Sequence, residues 1–104
     1  MNPSALTRKV IVSNPQGLHA RPADMLVRLA NRFEADVQVG KAGEWVDCKS
    51  ILSVLTLGAT QGTELSVAAD GVDAEDALQA VTDLIESGFD EADGGEDSLA
   101  SAAR

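Results

Sequence analysis

Short runs of apolar and β-branched residues alternate along this chain with segments in which apolar residues recur every three or four positions. The first pattern is typical of strands and the second of amphipathic helices. Val37 and Val39, for example, fall on one face of an alternating segment. Four strands are predicted, at residues 5–13, 35–41, 44–47 and 63–70.

Three helices are predicted between these strands. Ser50 is a favourable N-cap for the second helix and Asp73 for the third. Gly58 and Gly88 follow the last turns of these helices, where glycine commonly ends a helix. The predicted ranges are 20–33, 50–57 and 73–87, and the first helix has Ala23, Leu26, Ala30 and Phe33 on one face.

The resulting order is β-α-β-β-α-β-α, which indicates a two-layer α+β domain with its helices on one face of the sheet. A chain of 104 residues suits one domain. We assign residues 1–88 to this domain. Residues 89–104 are acidic, rich in small side chains and without periodicity, so a disordered C-terminal tail is expected there.

Composition narrows the classes of function. With 44% hydrophobic but only 3% aromatic residues, the core must be aliphatic. The net charge of −9 argues against nucleic-acid binding, because a phosphate backbone repels an acidic surface. No apolar run approaches the roughly 20 residues of a membrane helix, and the first residues lack the apolar segment of a signal peptide. A cytoplasmic protein without membrane insertion is therefore expected, and its single cysteine, Cys48, cannot form an internal disulfide.

The charge is unevenly distributed along the chain. Residues 1–34 carry five basic and two acidic side chains, whereas residues 35–104 carry three basic and fifteen acidic ones. The only histidine, His19, lies in the basic part. The basic segment is either a surface for acidic partners or ordinary surface charge.

His19 lies in the segment Gly-Leu-His-Ala-Arg-Pro-Ala, residues 17–23, where a turn ends and the first helix begins. Pro22 suits a first helical turn because the N–H that it lacks would have no intrahelical partner there. A helix N-terminus offers backbone N–H groups and a positive dipole end to an anion, and Arg21 adds a permanently charged donor. Since neutral imidazole is a nucleophile near pH 7, these residues indicate a phosphoryl acceptor. The alternative is a surface or helix-capping histidine; one histidine excludes a metal site of several histidines, and no metal or cofactor is expected.

The second candidate site is Ser50, at the start of a helix that is apolar on nearly every side. A phosphate on Ser50 would be stabilised by the helix N-terminus. A helix this apolar in so small a domain is expected to leave Ile51, Leu52 or Leu55 exposed, and an exposed apolar patch is typical of a docking surface. The alternatives are a serine that only caps the helix and a helix packed entirely inside.

These residues resemble the HPr family, the histidine-containing phosphocarriers of the bacterial phosphoenolpyruvate-dependent phosphotransferase system. The resemblance covers about residues 6–88. It implies the open-faced β-sandwich of that family, a four-stranded antiparallel sheet with three helices on one face. It rests on residues 17–23 and on Lys49-Ser50-Ile51 followed by Val54, Leu57, Gly58 and Gly62.

The resemblance also implies roles for the residues. His19 would accept a phosphoryl group on Nδ1 from phosphorylated enzyme I and pass it to an enzyme IIA of a sugar system, as a carrier and not an enzyme. Arg21 would hold the phosphoryl group together with the backbone at Ala20 and Arg21. Ser50 would be phosphorylated by an ATP-dependent HPr kinase/phosphorylase. A monomer is expected, and its partners would contact Arg28, Arg32, Ile51, Leu52 and Leu55.

Two other functions remain open at the level of sequence. The chain could be a regulatory carrier of a nitrogen-type or incomplete phosphotransferase system. It could also be a binding module whose Ser50 state controls docking to a transcription regulator or an enzyme, with His19 idle. If the first two helices begin near one surface, a Ser50→Asp substitution is predicted to slow phosphorylation of His19, because phosphate adds about −1.5 to −2 charges.

Overall fold

The computed structural model describes residues 5–90. The first strands and helix are β1 (Leu6–Ile11), α1 (Ala20–Ala30), β2 (Asp36–Lys41) and β3 (Glu44–Asp47). They are followed by α2 (Ile51–Thr56), β4 (Glu64–Asp70), α3 (Ala74–Glu86) and a short 3₁₀ turn, η1 (Gly88–Asp90). The predicted order of strands and helices is confirmed. Within these residues no helix combines the length and apolarity needed to cross a membrane.

The four strands form one antiparallel sheet in the order β1-β4-β2-β3. Alternate residues of each strand face the helices, so the sheet is buried on that side and open on the other. The predicted α+β architecture, an open-faced sandwich with three helices over one face, is therefore confirmed. The buried strand residues are aliphatic, as the composition requires: Val10, Val37, Val39, Leu65, Val67 and Ala69.

Trp45 covers part of the open face of the sheet. It pairs across strands with Gly40, and a Cβ added to Gly40 would lie 2.8 Å from the indole ring. The absence of a side chain at Gly40 lets the ring lie flat on the strand. This pair attaches the edge strand β3 to β2.

Helices α1 and α2 run antiparallel. At one end, the Nδ2 of Asn31, the C-cap of α1, donates to the carbonyl of Lys49, just before α2 begins (3.2 Å). At the other end, the Leu18 N–H, just before α1, donates to the Ala59 carbonyl beyond the end of α2 (2.9 Å). The start of α1 therefore lies beside the end of α2.

Helix α3 also runs antiparallel to α1. The Asp73 carboxylate, at the start of α3, accepts hydrogen bonds from the backbone N–H groups of Glu34 (3.0 Å) and Ala35 (2.8 Å), which follow α1. Near the end of α3, the Glu86 carbonyl accepts from the Ser13 hydroxyl (3.3 Å). One end of the domain, which we call the His19 end, thus holds the start of α1 and the ends of α2 and α3.

The structure corrects three details of the sequence analysis. Strand β1 ends at Ile11 instead of residue 13, although the Val12 N–H still donates to the Thr63 carbonyl (2.9 Å). Helix α1 ends at Ala30 instead of residue 33. Asp73 occupies the N-cap position of α3, but its carboxylate bonds the α1–β2 connection and not its own helix.

The expected tail also begins too early. Phe89, which we placed in the tail, is fully buried in the core, so the ordered domain extends beyond residue 88. It adopts a left-handed conformation, φ 58°, that turns its ring inward after Gly88 ends the helix. An isolated phenylalanine in an acidic segment carries no periodicity, which is why the sequence pattern missed it. The remainder of the predicted tail, residues 91–104, lies outside the described residues.

Candidate functional site

The connection between β1 and α1 places His19 at the surface of the domain. Gly17 in this connection has a φ of 67°, a conformation that L side chains rarely adopt. A Cβ on Gly17 would also clash with the Ala59 carbonyl oxygen and lie 2.8 Å from the Thr60 Cα. Two backbone segments therefore meet at Gly17, and the Leu18–Ala59 hydrogen bond holds the residue before His19 in place.

Asn14 supports the same connection from inside the domain, a role that the sequence pattern did not predict. It is 2% exposed, and its Nδ2 donates to the Gly17 carbonyl (2.7 Å) while the Gly17 N–H donates to the Asn14 carbonyl (3.1 Å). The sequence marked residues 14–17 only as a turn. An asparagine at the start of a turn, able to bond the backbone that follows, was the available signal.

His19 is the N-cap residue of α1. Its backbone is extended (φ −76°, ψ −171°), and its carbonyl accepts the first helical hydrogen bond from the Ala23 N–H (2.9 Å). The imidazole is partly exposed and does not cap the helix. The N–H groups of Ala20 and Arg21 precede the helical ladder, and Pro22 has none, so the helix end presents its donors beside His19. The reading of His19 as a helix-capping side chain is therefore wrong.

Basic side chains lie along one exposed stripe of α1. Arg21 and Arg28 are seven residues apart and so share a face, and both are exposed. Asp24 lies between them, and its Oδ2 accepts a hydrogen bond from the Arg28 Nε (2.8 Å). Because these side chains are 79% and 47% exposed, the pair contributes at most about 1 kcal/mol to stability. Arg32 is exposed beyond the far end of the helix.

Ser50 is the N-cap of α2, and its Oγ accepts a hydrogen bond from the Ser53 N–H (3.3 Å). The apolar surface beside it is narrower than expected. Leu52 is 73% exposed, whereas Ile51 and Leu55 are partly buried and pack against the core. Of Ile51, Leu52 and Leu55, Leu52 is therefore the exposed apolar residue that the sequence predicts beside Ser50.

The two candidate phosphorylation sites lie at opposite ends of the helix pair. Because α1 and α2 are antiparallel, Ser50 lies beside the end of α1 and His19 at its start. The 11 residues of α1 span about 16 Å. The two helices therefore begin at opposite ends of α1 and not beside each other, so a charge on Ser50 is not adjacent to His19.

The chain is similar to proteins of one known family. A family model described as the PTS HPr component phosphorylation site matches residues 6–87. The phosphocarrier protein HPr from Bacillus anthracis str. Ames is 38% identical, with a TM-score of 0.76 over 79% of this chain and 98% of that chain. HPr from Thermoanaerobacter tengcongensis is 39% identical, with a TM-score of 0.78 over 81% of this chain and 94% of that chain.

A further similar structure is Crh, the Bacillus subtilis catabolite repression protein, described as a domain-swapped dimer. It is 38% identical, with a TM-score of 0.66 over 78% of this chain and 93% of that chain. The residues that the family model matches include His19 and Ser50. With the family model spanning most of its length, this chain belongs to the HPr family of phosphocarrier proteins.

Proposed function

We propose that this chain carries phosphoryl groups on His19, accepting them from phosphorylated enzyme I and passing them to an enzyme IIA of a sugar phosphotransferase system. The observation that carries this proposal is the position of His19. Its imidazole is partly exposed at the N-cap of α1, makes no side-chain cap hydrogen bond, and lies at the helix start that carries two backbone donors and Arg21. Membership of the HPr family supports the same role.

The proposed transfer needs little chemistry from this chain. In the neutral tautomer with its proton on Nε2, the lone pair of the His19 Nδ1 attacks phosphorus. One N–P bond forms on His19 as the bond from phosphorus to its carrier group on enzyme I breaks and the bonding pair returns to that group, while the Nε2 proton of His19 stays in place. The N–H groups of Ala20 and Arg21 and the Arg21 guanidinium then stabilise the phosphoryl oxygens.

Labelling with phosphoenolpyruvate and enzyme I tests the proposal. The wild type is expected to take up one acid-labile phosphoryl group per chain, and His19→Ala none. Full labelling of His19→Ala would contradict the assignment. A wild type that takes up no label from a competent enzyme I would overturn the carrier function itself.

A matched pair of variants tests Arg21. Arg21→Ala and Lys9→Ala each remove one positive charge, but Lys9 lies beside Trp45 on the open face of the sheet, on the side opposite the helices. We expect Arg21→Ala to slow His19 phosphorylation about 10-fold or more, as removal of a charge-assisted donor typically does. Equal rates in the two variants would argue that Arg21 contributes only its net charge.

We further propose that acidic partner surfaces contact α1 through Arg28 and Arg32, and that Leu52, flanked by Ile51 and Leu55, supplies the apolar contact. The exposure of Leu52 supports this role, because Leu52 is 73% exposed beside the partly buried Ile51 and Leu55, and contiguous apolar surface is typical of interaction sites. Leu52→Ala is expected to weaken partner binding with little effect on folding. Cytoplasmic location and a monomeric state belong to the same proposal.

Regulation at Ser50 by an HPr kinase/phosphorylase is the finer part of the proposal. Ser50→Asn tests it cleanly, because asparagine also caps helices well and cannot be phosphorylated. ATP-dependent labelling is expected to disappear in Ser50→Asn and to persist in Ser53→Ala, whose hydroxyl lies one turn further along α2. Unchanged labelling of Ser50→Asn would rule out this site.

The position of Leu52, two residues from Ser50, favours one second function, a docking module controlled by phosphorylation of Ser50. In that case the partner is a transcription regulator or an enzyme. Binding that depends on Ser50 phosphorylation and is the same in His19→Ala and wild type would support it. A regulatory carrier of a nitrogen-type system predicts His19 labelling without transfer to a sugar-specific enzyme IIA.

A further inference from the structure

The chain leaves the described domain at the His19 end. Gly88 follows α3, and a Cβ added there would lie 3.3 Å from the Ser13 hydroxyl oxygen and 3.9 Å from the Asn14 Cβ. Ser13 and Asn14 belong to the connection that carries His19. Buried Phe89 fixes this point of departure against the core.

The sequence that follows is strongly acidic. Five carboxylates occur within eight residues and no basic residue lies among them: Asp90, Glu91, Asp93, Glu96 and Asp97. The nearest surface of α1 has the opposite character, because Arg21 is exposed and the positive end of the helix dipole lies beside it. Opposite charges are therefore held at the same end of the domain.

We propose that segment 91–97 binds along α1, with its carboxylates against Arg21 near the start of the helix and Arg28 in its last turn. Seven residues extend at most about 25 Å, and α1 is about 16 Å long, so the segment reaches both arginines from Asp90. It occupies the basic stripe that acidic partners use, and so acts as an internal competitor for the surface beside His19. This last consequence rests on the proposed function, whereas the binding itself does not.

Because segment 91–97 is covalently attached to the domain, weak binding is enough for it to occupy the surface of α1. A segment attached a few residues away has an effective concentration on the order of millimolar. A contact with a millimolar dissociation constant therefore occupies about half of the molecules. Arg21 is the stronger anchor, because Arg28 already shares its charge with Asp24.

Arg8 is the competing anchor for the segment. Its guanidinium already donates to the Gln79 Oε1 (3.1 Å) and the Thr82 Oγ1 (3.5 Å) of α3, so it is less available than Arg21. The two anchors lie on different elements, β1 and α1. Residue-resolved measurements therefore separate them.

Two full-length variants test the binding by NMR. The first neutralises the segment with Glu91→Gln, Asp93→Asn, Glu96→Gln and Asp97→Asn. The control removes four acids at the opposite end with Glu34→Gln, Asp36→Asn, Glu75→Gln and Asp76→Asn, so the change in net charge is equal. We expect the amide resonances of residues 20–28 to move in the first variant and not in the control. Wild-type resonances should approach those of the first variant at 1 M salt, where the Debye length is about 3 Å.

Unmoved resonances in residues 20–28, or movement confined to the neighbourhood of Arg8, would overturn the proposal.

The functional consequence is tested with enzyme I at low salt. Neutralising the segment is expected to raise the rate of His19 phosphorylation about threefold or more relative to the control, because the competitor is removed. Equal rates in the two variants would overturn the competitor role. If neither variant nor the wild type is phosphorylated, the proposed function fails, and the resonances still decide whether the segment binds.

Discussion

Gly17 combines a left-handed backbone conformation with a close approach to the Ala59–Thr60 backbone. Asn14 closes the same connection through the Gly17 carbonyl. Single residues of this kind decide where the His19 imidazole lies, although neither touches the phosphoryl group in the proposed reaction. They are positioning residues.

Gly17→Ala is therefore expected to be more damaging than Gly62→Ala. Both glycines have positive φ, which costs a non-glycine residue roughly 1–2 kcal/mol, but nothing lies within 4 Å of a Cβ at Gly62. The clash at Gly17 should add about 1 kcal/mol or more to the loss of unfolding free energy. Urea unfolding followed by the fluorescence of the single Trp45 measures this difference, and equal losses would show that the backbone contact relaxes freely.

Cys48 is a buried residue whose thiol makes the stability of the domain depend on pH. Burial, helped by the charge of Asp47 and partly offset by Lys49, raises the pKa of its thiol from 9.0 to about 12. Between about pH 9 and pH 12, the Cys48 thiol therefore keeps its proton in the folded state and loses it in the unfolded state. The thiol therefore has no effect on stability below about pH 9, and it lowers stability as pH rises toward 12, by at most about 1.4 kcal/mol per pH unit.

The free energy of unfolding of the wild type should accordingly decline more steeply above pH 9 than that of Cys48→Ala. The comparison uses slopes, because the alanine variant also leaves a small cavity that lowers stability at every pH. The native thiol should also react slowly with thiol reagents near pH 8. Parallel slopes in the two proteins would mean that Cys48 does not contribute to the alkaline loss of stability.

At the scale of elements, local sequence patterns predict where the helices lie, whereas contacts between distant segments decide how the helices are connected to the rest of the fold. The recurrence of apolar residues every three or four positions, together with the capping residues, was enough to predict α1, α2 and α3. Ser50 caps α2 as expected. Asp73 was read as a cap of α3, but its carboxylate bonds the backbone after α1. A sequence pattern cannot show such a contact, because the two partners lie 38 and 39 residues away in the chain.

Asp73 is expected to make the domain sensitive to acid. Hydrogen bonds from the backbone of Glu34 and then Ala35 lower the pKa of its carboxyl from 3.8. A lowered pKa stabilises the fold above the unfolded value, and this contribution is lost as pH falls below about 3.8 through the folded value. Asp73→Asn should lower the urea midpoint at neutral pH and lose less stability on acidification than the wild type.

Asp76→Asn provides the control for Asp73, since it removes an exposed carboxylate from the first turn of the same helix. We expect its stability to follow the acid dependence of the wild type. If Asp73→Asn and Asp76→Asn respond alike, the two backbone hydrogen bonds do not set the acid sensitivity.

At the scale of the whole molecule, the antiparallel packing of α1 with both other helices decides what lies near His19. The ends of α2 and α3 meet there, whereas Ser50 lies at the far end of α1. A separation of about 16 Å exceeds the Debye length of about 10 Å at 0.1 M salt. Charge at Ser50 therefore acts on His19 only weakly through solvent.

This geometry refines the expected effect of Ser50→Asp. In the proposed function, phosphorylation of His19 by enzyme I should be slower, because a partner that contacts both His19 and Leu52 meets the added charge at Ser50. The lifetime of phosphohistidine in the isolated protein should be unchanged, since no partner is present to connect the sites. Both quantities are measured by the loss or gain of label. A shortened lifetime would indicate coupling inside the domain, contrary to this packing.

The sequence by itself determined the order of the elements, the aliphatic core, and the identity of His19, Arg21 and Ser50 as candidate residues. These follow from periodicity, capping chemistry and a short motif, all of which depend on neighbours in the chain. Only the tertiary structure decided that Asn14 supports the His19 connection, that Phe89 belongs to the core, and that His19 and Ser50 lie at opposite ends of α1. Each depends on contacts between distant segments, which form when the helices pack antiparallel over one sheet and which local sequence does not encode.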